Sequence, residues 1–330
     1  MVQTQLTDSF GRRHNYLRIS LTNNCNLKCF YCMPDADEHL FVDKRWMTVD
    51  EIEAIAGIFC QAGVNKIRLT GGEPLVRKDI DKIIIVLSGL PVELTLTTNG
   101  IRLHEFADLL QQAGIRSLNI SLDTLDENKF ELITGRNDFG KVWQNILHLA
   151  NENFHIKINM VVMKGLNENE IKHFVALTKD MPVHVRFIEF MPFNGNKWSS
   201  NKVLGWQEML DIIESEYSFI KLKDDVHDTA KKYMVPGYRG SFAVISTMTA
   251  PFCSGCNRLR LTADGKMRNC LFSSKEIDLL TPFRMGEDIM PLINQSVFEK
   301  AEATGGQLST NLSFLDNSII HNRSMIDIGG

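Results

Sequence analysis

The chain has 330 residues, of which 44% are hydrophobic and 23% charged, with a net charge of −4 and a pI near 6.2. These values exclude extensive disorder and argue against a broad surface for nucleic acid, although a local group of Arg and Lys would still bind a small anion. The first twenty residues lack the apolar core of a secretion signal, and no stretch is apolar enough to span a membrane. We therefore expect a cytoplasmic protein with no membrane partner.

Six short predicted strands alternate with helical segments. The strands, at 17–22, 66–70, 93–98, 116–121, 156–163 and 184–190, are rich in β-branched residues. The helical patterns lie at 48–62, 79–89, 103–113, 140–152 and 168–179, and the first begins with a capping box of Thr48 and Glu51. This order predicts a parallel α/β sheet, either doubly wound or a barrel, with chemistry at the carboxyl ends of the strands.

Beyond residue 220 the alternation stops. We predict a first domain at 1–220 and a smaller C-terminal region at 221–330, which contains a second group of cysteines and ends in Gly329-Gly330. The boundary is defined only to within about fifteen residues, because boundaries are the weakest part of such a prediction.

Six of the seven cysteines fall into two groups of three. In a reducing compartment such groups indicate metal or cluster ligation rather than disulfides. Cys25, Cys29 and Cys32 form Cys-x3-Cys-x2-Cys directly after the first strand. Three thiolates are one short of a closed zinc site and leave one iron of a four-iron cluster open, which is typical of a catalytic centre. A zinc site completed by a residue such as His39 is the alternative.

The second group is Cys253, Cys256 and Cys270, again three sulfurs. Its spacing suits zinc as well as a second cluster. Between these cysteines, Arg258 and Arg260 face one way if the segment is extended, and two guanidinium groups beside a cluster would bind an anion. The remaining cysteine, Cys60, lies in a helical segment and is predicted to be buried and inert.

Further candidates follow the predicted strands. Gly71-Gly72-Glu73-Pro74 after the second strand would let a ligand approach the backbone, and Asn99 and Asp123 occupy equivalent rim positions. Several cations on or just after strands would be costly to bury without an anion, although internal salt bridges are an alternative. They are Arg18, Lys66, Arg68, Lys164 and Arg186.

The segment NNCNLKCFYCMP resembles the cluster loop of the radical S-adenosylmethionine superfamily. The resemblance implies a 4Fe–4S cluster whose open iron binds S-adenosylmethionine and generates a 5′-deoxyadenosyl radical. By motif position it also implies four contacts to S-adenosylmethionine, from Tyr31, Gly72, Ser121 and Met191.

Across nearly the whole chain the motifs resemble one family, the GTP 3′,8-cyclases of molybdenum cofactor synthesis. They include GGEP, TTNG, NISLD, VVMKG, VRFIEFMP, CSGCNRLRLTADG and the final Ile-Gly-Gly. The resemblance implies an incomplete (βα)6 TIM-type barrel, two 4Fe–4S clusters, a homodimer, an external one-electron reductant, and transfer of the product to the next enzyme, the cyclic pyranopterin monophosphate synthase. It also implies a tail that reaches the active site, and GTP contacts from Arg18, Arg68, Thr97, Lys164, Arg258, Leu259 and Arg260.

Two other functions remain open from the residues alone. A radical enzyme that modifies peptides would also carry additional cluster cysteines, although the arginine pair argues against a peptide substrate. An electron-transfer or zinc-binding module would use the same thiols without catalysis. The loop at 33–47 carries no chemistry that we can assign.

Overall fold

The predicted strands form the middle of one sheet in a computed structural model that describes residues 5–32, 46–308 and 322–329. Residues 33–45, which contain His39 and most of the 33–47 loop, and Gly330 lie outside the described residues. The strands are β1 (Tyr16–Ser20), β2 (Lys66–Thr70), β3 (Glu93–Thr98), β4 (Ser117–Ser121), β5 (His155–Val162), β6 (His184–Glu189), β7 (Ile220–Lys221), β8 (Lys231–Met234), β9 (Ser241–Ile245), β10 (Arg258–Leu261), β11 (Lys266–Arg268) and β12 (Ile277–Asp278).

Eight of these strands run parallel. Their order is β10-β1-β2-β3-β4-β5-β6-β9, and antiparallel β11-β12 and β8-β7 extend the two ends. Over the described residues the end strands β12 and β7 do not pair with each other, so the sheet stays open. The predicted incomplete barrel with six βα units is confirmed.

The helices cover the outside of the sheet. They are α1 (Val49–Gln61), α2 (Ile80–Ser88), α3 (Leu103–Gln112), α4 (Glu127–Thr134), α5 (Phe139–Ala150), α6 (Ile171–Asp180), α7 (Trp206–Glu214), α8 (Leu280–Arg284), α9 (Met290–Phe298) and α10 (Met325–Ile328). The predicted capping box is present, since the Thr48 Oγ1 accepts from the Glu51 amide and the Glu51 carboxylate accepts from the Thr48 amide. Cys60 is half-buried on α1 against the main core.

Alternation along the strands separates two environments. Leu17 and Ile19 of β1 are fully buried in the main core, together with Ile55 and Phe59 of α1. Arg18, between the two apolar residues, projects from the opposite face of the strand into the lumen of the open barrel. The fold therefore needs its apolar face for stability and leaves the inner face free to carry polar chemistry.

Two features were not predicted from the sequence. The C-terminal strands β9 and β10 extend the parallel sheet beside β6 and β1, so the sheet continues across the proposed boundary near residue 220. Helix α4, between β4 and α5, and the helices from α7 onward were also missed. The division into two domains stays a prediction. No helix within the described part of the chain has the length and apolar character needed to span a bilayer.

Candidate active site

The first cysteine group lies in the loop that follows β1. Cys25, Cys29 and Cys32 line one cavity at the carboxyl end of the parallel strands. Backbone hydrogen bonds fold the loop, from the Cys32 amide to the Cys29 carbonyl (2.9 Å) and from the Lys28 amide to the Thr134 carbonyl at the end of α4 (2.8 Å). The fold thus holds three thiols at the predicted rim of the sheet.

The turn after β2 packs directly on this loop. The Gly72 amide donates to the Thr22 carbonyl at 2.7 Å, and the Glu73 amide donates to the Asn24 carbonyl at 2.8 Å. A Cβ atom at Gly72 would lie 2.4 Å from the Asn24 carbonyl oxygen, which no side chain can do without moving the backbone. Glycine is therefore required here because two backbone segments meet.

Glu73 connects the ends of β2 and β3. Its buried carboxylate accepts from the Leu75 amide (2.9 Å), the Thr98 hydroxyl (2.8 Å) and the Asn99 amide (2.6 Å). Burial raises the pKa of Glu73 to about 7, although these hydrogen bonds oppose the shift. The carboxylate thus holds the rim together from within.

Asn99 and Asp123, which were predicted to lie at the rim of the sheet, lie beside the thiols. The side-chain Nδ2 of Asn99 donates to the Asn26 Oδ1 at 2.7 Å and lies 3.8 Å from the Cys25 Sγ. Asp123 accepts from the Tyr31 hydroxyl at 2.5 Å and from the Val161 amide at 2.8 Å. These bonds fix the aromatic ring that precedes the third cysteine.

The first cysteine group has the ligand chemistry of an iron–sulfur cluster. Among the described residues, no three His, Cys, Asp or Glu side chains are close enough to share one metal ion. In a four-iron cluster each cysteine binds a different iron, so three thiols that line one cavity suit such a cluster. Burial, together with the nearby Glu73 carboxylate, raises the pKa of Cys25 to about 11, and a bound metal would favour its thiolate form.

The second cysteine group lines a separate cavity. Cys253 and Cys256 precede β10 and Cys270 follows β11, so a short antiparallel pair of strands brings the three together. Arg258 and Arg260 line the same cavity. Burial alone would raise the pKa of Cys256, but Lys300 and Arg258 lower it below its usual value.

The C-terminal tail lies between the two cavities. Met325 and Ile326 line the first, while Arg260 of the second donates to the Gly329 carbonyl at 2.6 Å. Ile328 is buried in a small apolar cluster against which Tyr31 and Cys270 also pack. The two cysteine groups therefore flank one tail-filled space rather than opening on unrelated surfaces.

Cations line the inner face of the sheet in register. Arg260, Arg18 and Arg68 are direct neighbours across β10, β1 and β2. Burial, together with the Arg68 guanidinium, lowers the pKa of Arg18 to about 10. On β6, burial and the Arg68 guanidinium lower the pKa of Arg186 to about 9. The Nε and Nη2 of Arg186 have no hydrogen-bond partner within the described residues. Such a concentration of buried charge calls for an anion.

The remaining predicted site residues are distributed as follows. Tyr31, Gly72, Thr97 and Ser121 line the first cavity. Met191 packs against the apolar cluster that contains Ile328.

Five of the predicted site residues line neither cavity: Arg18 and Arg68 of the arginine row, Met191, Lys164 and Leu259. Lys164 is half-exposed and pairs with Glu208 at 3.2 Å, and the side chain of Leu259 is buried in the main core, on the opposite face of β10 from the two arginines. Their assignments as substrate contacts stay predictions.

Sequence reasoning missed Lys157 and Lys300. Lys157 faces the lumen from β5, and burial together with Arg186 lowers its pKa to about 8. A lysine at a lumen-facing position of a predicted strand is a signal that could have identified it. Lys300 contacts the Cys256 sulfur, but its position after α9 gives no such signal in the sequence.

Two family models together match most of the chain. The radical SAM superfamily matches residues 19–178, and the family described as Molybdenum Cofactor Synthesis C matches residues 183–305. Among solved structures, Streptococcus suis SuiB bound to S-adenosylmethionine has a TM-score of 0.59 over 82% of this chain and 65% of that chain, at 16% identity. This likeness concerns the fold alone.

Relatives of known name are far more similar in sequence. The chain is 45% identical to the mitochondrial GTP 3′,8-cyclase of Arabidopsis thaliana, over 100% of this chain and 84% of that protein. It is 44% identical to the GTP 3′,8-cyclase of Peptoclostridium acidaminophilum, over 89% of this chain and 92% of that protein. It is 46% identical to molybdenum cofactor biosynthesis protein 1 of Mus musculus, of which it spans only 51%.

Proposed function

Because this chain belongs to the GTP 3′,8-cyclase family within the radical SAM superfamily, we propose that it cyclises GTP in the first step of molybdenum cofactor synthesis. The 5′-deoxyadenosyl radical, supplied when S-adenosylmethionine is cleaved at the first cluster, takes the C3′ hydrogen of GTP. The C3′ radical then attacks guanine C8, and the resulting purine radical takes up one electron from the external reductant and one proton to give 3′,8-cyclo-7,8-dihydroguanosine triphosphate. The observation that carries the proposal is the row of three arginines, Arg260, Arg18 and Arg68, beside two groups of three cysteines.

In this proposal the first cysteine group holds the cluster that binds S-adenosylmethionine. Cys25, Cys29 and Cys32 supply the thiolates, and three ligands leave one iron open for the amino and carboxylate groups of the cofactor. Gly72, Ser121, Tyr31 and Met191 are the proposed contacts to the cofactor. Three of the four line the first cavity, and the hydrogen bond from Tyr31 to Asp123 fixes the ring at its wall.

The second cysteine group holds the second 4Fe–4S cluster, whose open iron binds the substrate. Holding a substrate nitrogen or oxygen there would fix GTP opposite the radical source, which saves the entropy of bringing the two together. Arg258 and Arg260 lie beside the group, and Arg18 and Arg68 continue the cationic surface across the sheet. Guanidinium groups bind phosphate oxygens in pairs, so this surface suits a triphosphate.

Thr97, Lys164 and Leu259 complete the proposed substrate contacts. Thr97 lies in the first cavity next to Arg68, whose Nη1 is 3.5 Å from the threonine hydroxyl. Lys164 would have to exchange its pairing with Glu208 for a phosphate, and Leu259 would act through its backbone.

The physiological setting belongs to the same proposal. We infer a homodimer, a cytoplasmic location, an external one-electron reductant, and delivery of the product to the cyclic pyranopterin monophosphate synthase. Each follows from the family rather than from a contact within the chain.

Anaerobic turnover tests the function. The reconstituted protein, given a strong reductant and S-adenosylmethionine, is incubated with GTP or with a peptide mixture, and the products are analysed by mass spectrometry. We expect 5′-deoxyadenosine and a cyclised GTP isomer only in the GTP reaction. A modified peptide with unchanged GTP would instead favour the peptide-modifying alternative.

A further inference from the structure

One buried lysine contacts a sulfur of the second cysteine group. Lys300, which follows α9, is 3% exposed. Its Nζ donates to the Cys256 Sγ at 3.4 Å and to the Arg258 carbonyl at 2.9 Å. Within the described ranges the charged neighbours of this ammonium group are thiols and Arg12, and no carboxylate is among them. Its charge therefore faces the thiol with no acidic partner of its own.

The residues that follow Lys300 hold a second sulfur. The Thr304 amide donates to the Cys253 Sγ at 3.3 Å. Arg12 joins this segment to the cysteine turn, because its Nη1 donates to the carbonyls of Cys253 (2.9 Å) and Glu302 (2.6 Å). Two of the three sulfurs thus receive hydrogen bonds from residues 300–304, which lie outside every recognised motif.

The first cysteine group has different surroundings. The Cys25 Sγ accepts from the backbone amide of Leu27 at 3.4 Å and lies 3.8 Å from the side-chain Nδ2 of Asn99. Both donors are neutral. In the described part of the chain no Lys or Arg donates to Cys25, Cys29 or Cys32, and the acidic Glu73 and Asp123 lie nearby. The two groups therefore differ in the charge that surrounds them.

Charge and hydrogen bonds at the sulfurs set how readily an iron–sulfur cluster accepts an electron and how firmly it is held. Ligation by three thiolates adds negative charge, and reduction adds more. A buried ammonium group in contact with a ligand sulfur stabilises both the thiolate and the reduced state. Because Lys300 also binds the Arg258 carbonyl, it connects this sulfur to the strand that carries the two arginines.

We propose that Lys300 is a positioning residue of the second cluster, which it retains and shifts to a higher reduction potential through its bond to Cys256. The inference rests on the proposed function, since it requires a cluster at the second cysteine group. It assigns a role in the catalytic site to a residue between α9 and the tail. It also predicts that the two clusters have different potentials, with the second more easily reduced.

The test uses the full chain with the first group changed by Cys25→Ser, Cys29→Ser and Cys32→Ser, so that only the second cluster forms. In this background Lys300→Met removes the charge and Lys300→Arg keeps it. Lys275→Met is the matched control, because Lys275 is a nearby exposed lysine that pairs only with Glu299 among the described residues. The midpoint potential is measured by an electron paramagnetic resonance titration, and cluster retention by the rate of iron loss to a chelator.

We expect Lys300→Met to lower the midpoint potential and to lose iron about ten-fold faster, as is typical when a hydrogen-bond partner of a metal ligand is removed. Lys300→Arg should lie close to the background protein, and Lys275→Met should match it. If Lys300→Met does not fold, Lys300→Gln retains a donor without the charge and should still lower the potential. An unchanged potential and iron-loss rate in the folded, uncharged variant would overturn the inference.

The iron content of the triple-serine background protein distinguishes a failure of this inference from a failure of the proposed function. A background protein that takes up about four irons and sulfides supports the second cluster, whatever the Lys300 variants do. One that takes up no iron would overturn the proposed function at this site, and the role of Lys300 with it.

Discussion

At Gly72 a hydrogen atom in place of a side chain lets the turn after β2 lie against the first cysteine loop. The Gly72 amide donates to Thr22, and the neighbouring Glu73 both binds the loop backbone and ties β2 to β3. The GGEP motif could be recognised from the sequence as a ligand-binding turn. Its contact with the loop could not, because that contact joins segments about fifty residues apart.

Replacing Gly72 by alanine tests this contact. Gly72→Ala forces the turn away from Asn24 and should destabilise the protein by about 1–3 kcal/mol, with a lower iron content at the first site. Gly57→Ala is the control, because a Cβ at Gly57 on α1 meets nothing within 4 Å and should change stability by less than about 1 kcal/mol. Urea unfolding and iron analysis measure both. Equal stability and iron in the two variants would show that the turn does not support the loop.

Replacing one cysteine of each group should separate the cleavage of S-adenosylmethionine from the conversion of GTP. Cys29→Ser removes a ligand of the first cluster and should abolish cleavage of S-adenosylmethionine. Cys270→Ser affects the second group, so it should spare part of the cleavage and lose the GTP product. Chromatographic assay of 5′-deoxyadenosine and of the GTP product measures both. If both variants lose cleavage equally while the first cluster remains intact, the assignment of the second group to substrate is wrong.

His184, at the start of β6, should make stability depend on pH. Burial, together with the cations Arg186 and Lys157, lowers its pKa to about 3, and its Nδ1 lies 2.8 Å from the Ser241 hydroxyl. The unfolded chain binds a proton near pH 6.5 and the folded chain does not, so stability falls as the pH drops from about 6.5 towards 3.

His184→Gln keeps a polar contact but does not titrate. Between pH 7 and pH 5 it should therefore lose about 1–2 kcal/mol less stability than the unmodified protein. Urea unfolding at the two pH values measures the difference. Identical losses would mean that folding does not lower the pKa of this histidine.

At the scale of elements, the sheet supplies two faces with different uses. The strands from β1 to β6 could be predicted to within two residues, because β-branched residues and turn signals mark their ends. Neither β9 nor β10 could be placed in the sheet, because their pairing with β6 and β1 joins distant parts of the chain. That pairing completes the row of Arg260, Arg18 and Arg68, so the substrate surface was only partly visible in the sequence.

The buried cations of the lumen should destabilise the ligand-free protein and strengthen the binding of GTP. Arg186→Met removes a buried guanidinium of which two atoms have no hydrogen-bond partner among the described residues, so the ligand-free protein should melt at the same or a higher temperature. If Arg186 binds the triphosphate, the affinity of the variant for GTP should fall at least about ten-fold, because a charge-assisted hydrogen bond is lost. The exposed Arg13, changed to Met, is the control for loss of one charge.

Melting curves with and without GTP measure both effects. A GTP-induced shift in the Arg186→Met variant as large as in the unmodified protein would exclude Arg186 from the substrate surface.

At the scale of the whole molecule, the open barrel brings together loops from both ends of the chain. The first cysteine group follows β1, the second flanks β10, and the tail from Ser324 to Gly329 lies between them. The sequence predicted the ligands, since cysteine spacing is a strong local signal. It gave no signal for Lys300 or for the surroundings of each sulfur, because these depend on which segments meet in space.

The content of iron and acid-labile sulfide tests the central claim most directly, namely that each group of three cysteines holds its own cluster. After anaerobic reconstitution we predict roughly eight irons and eight sulfides per chain, falling to roughly four of each when either group is changed to serine. Zinc without sulfide in the unmodified protein, or full loss of iron when only one group is changed, would contradict the account.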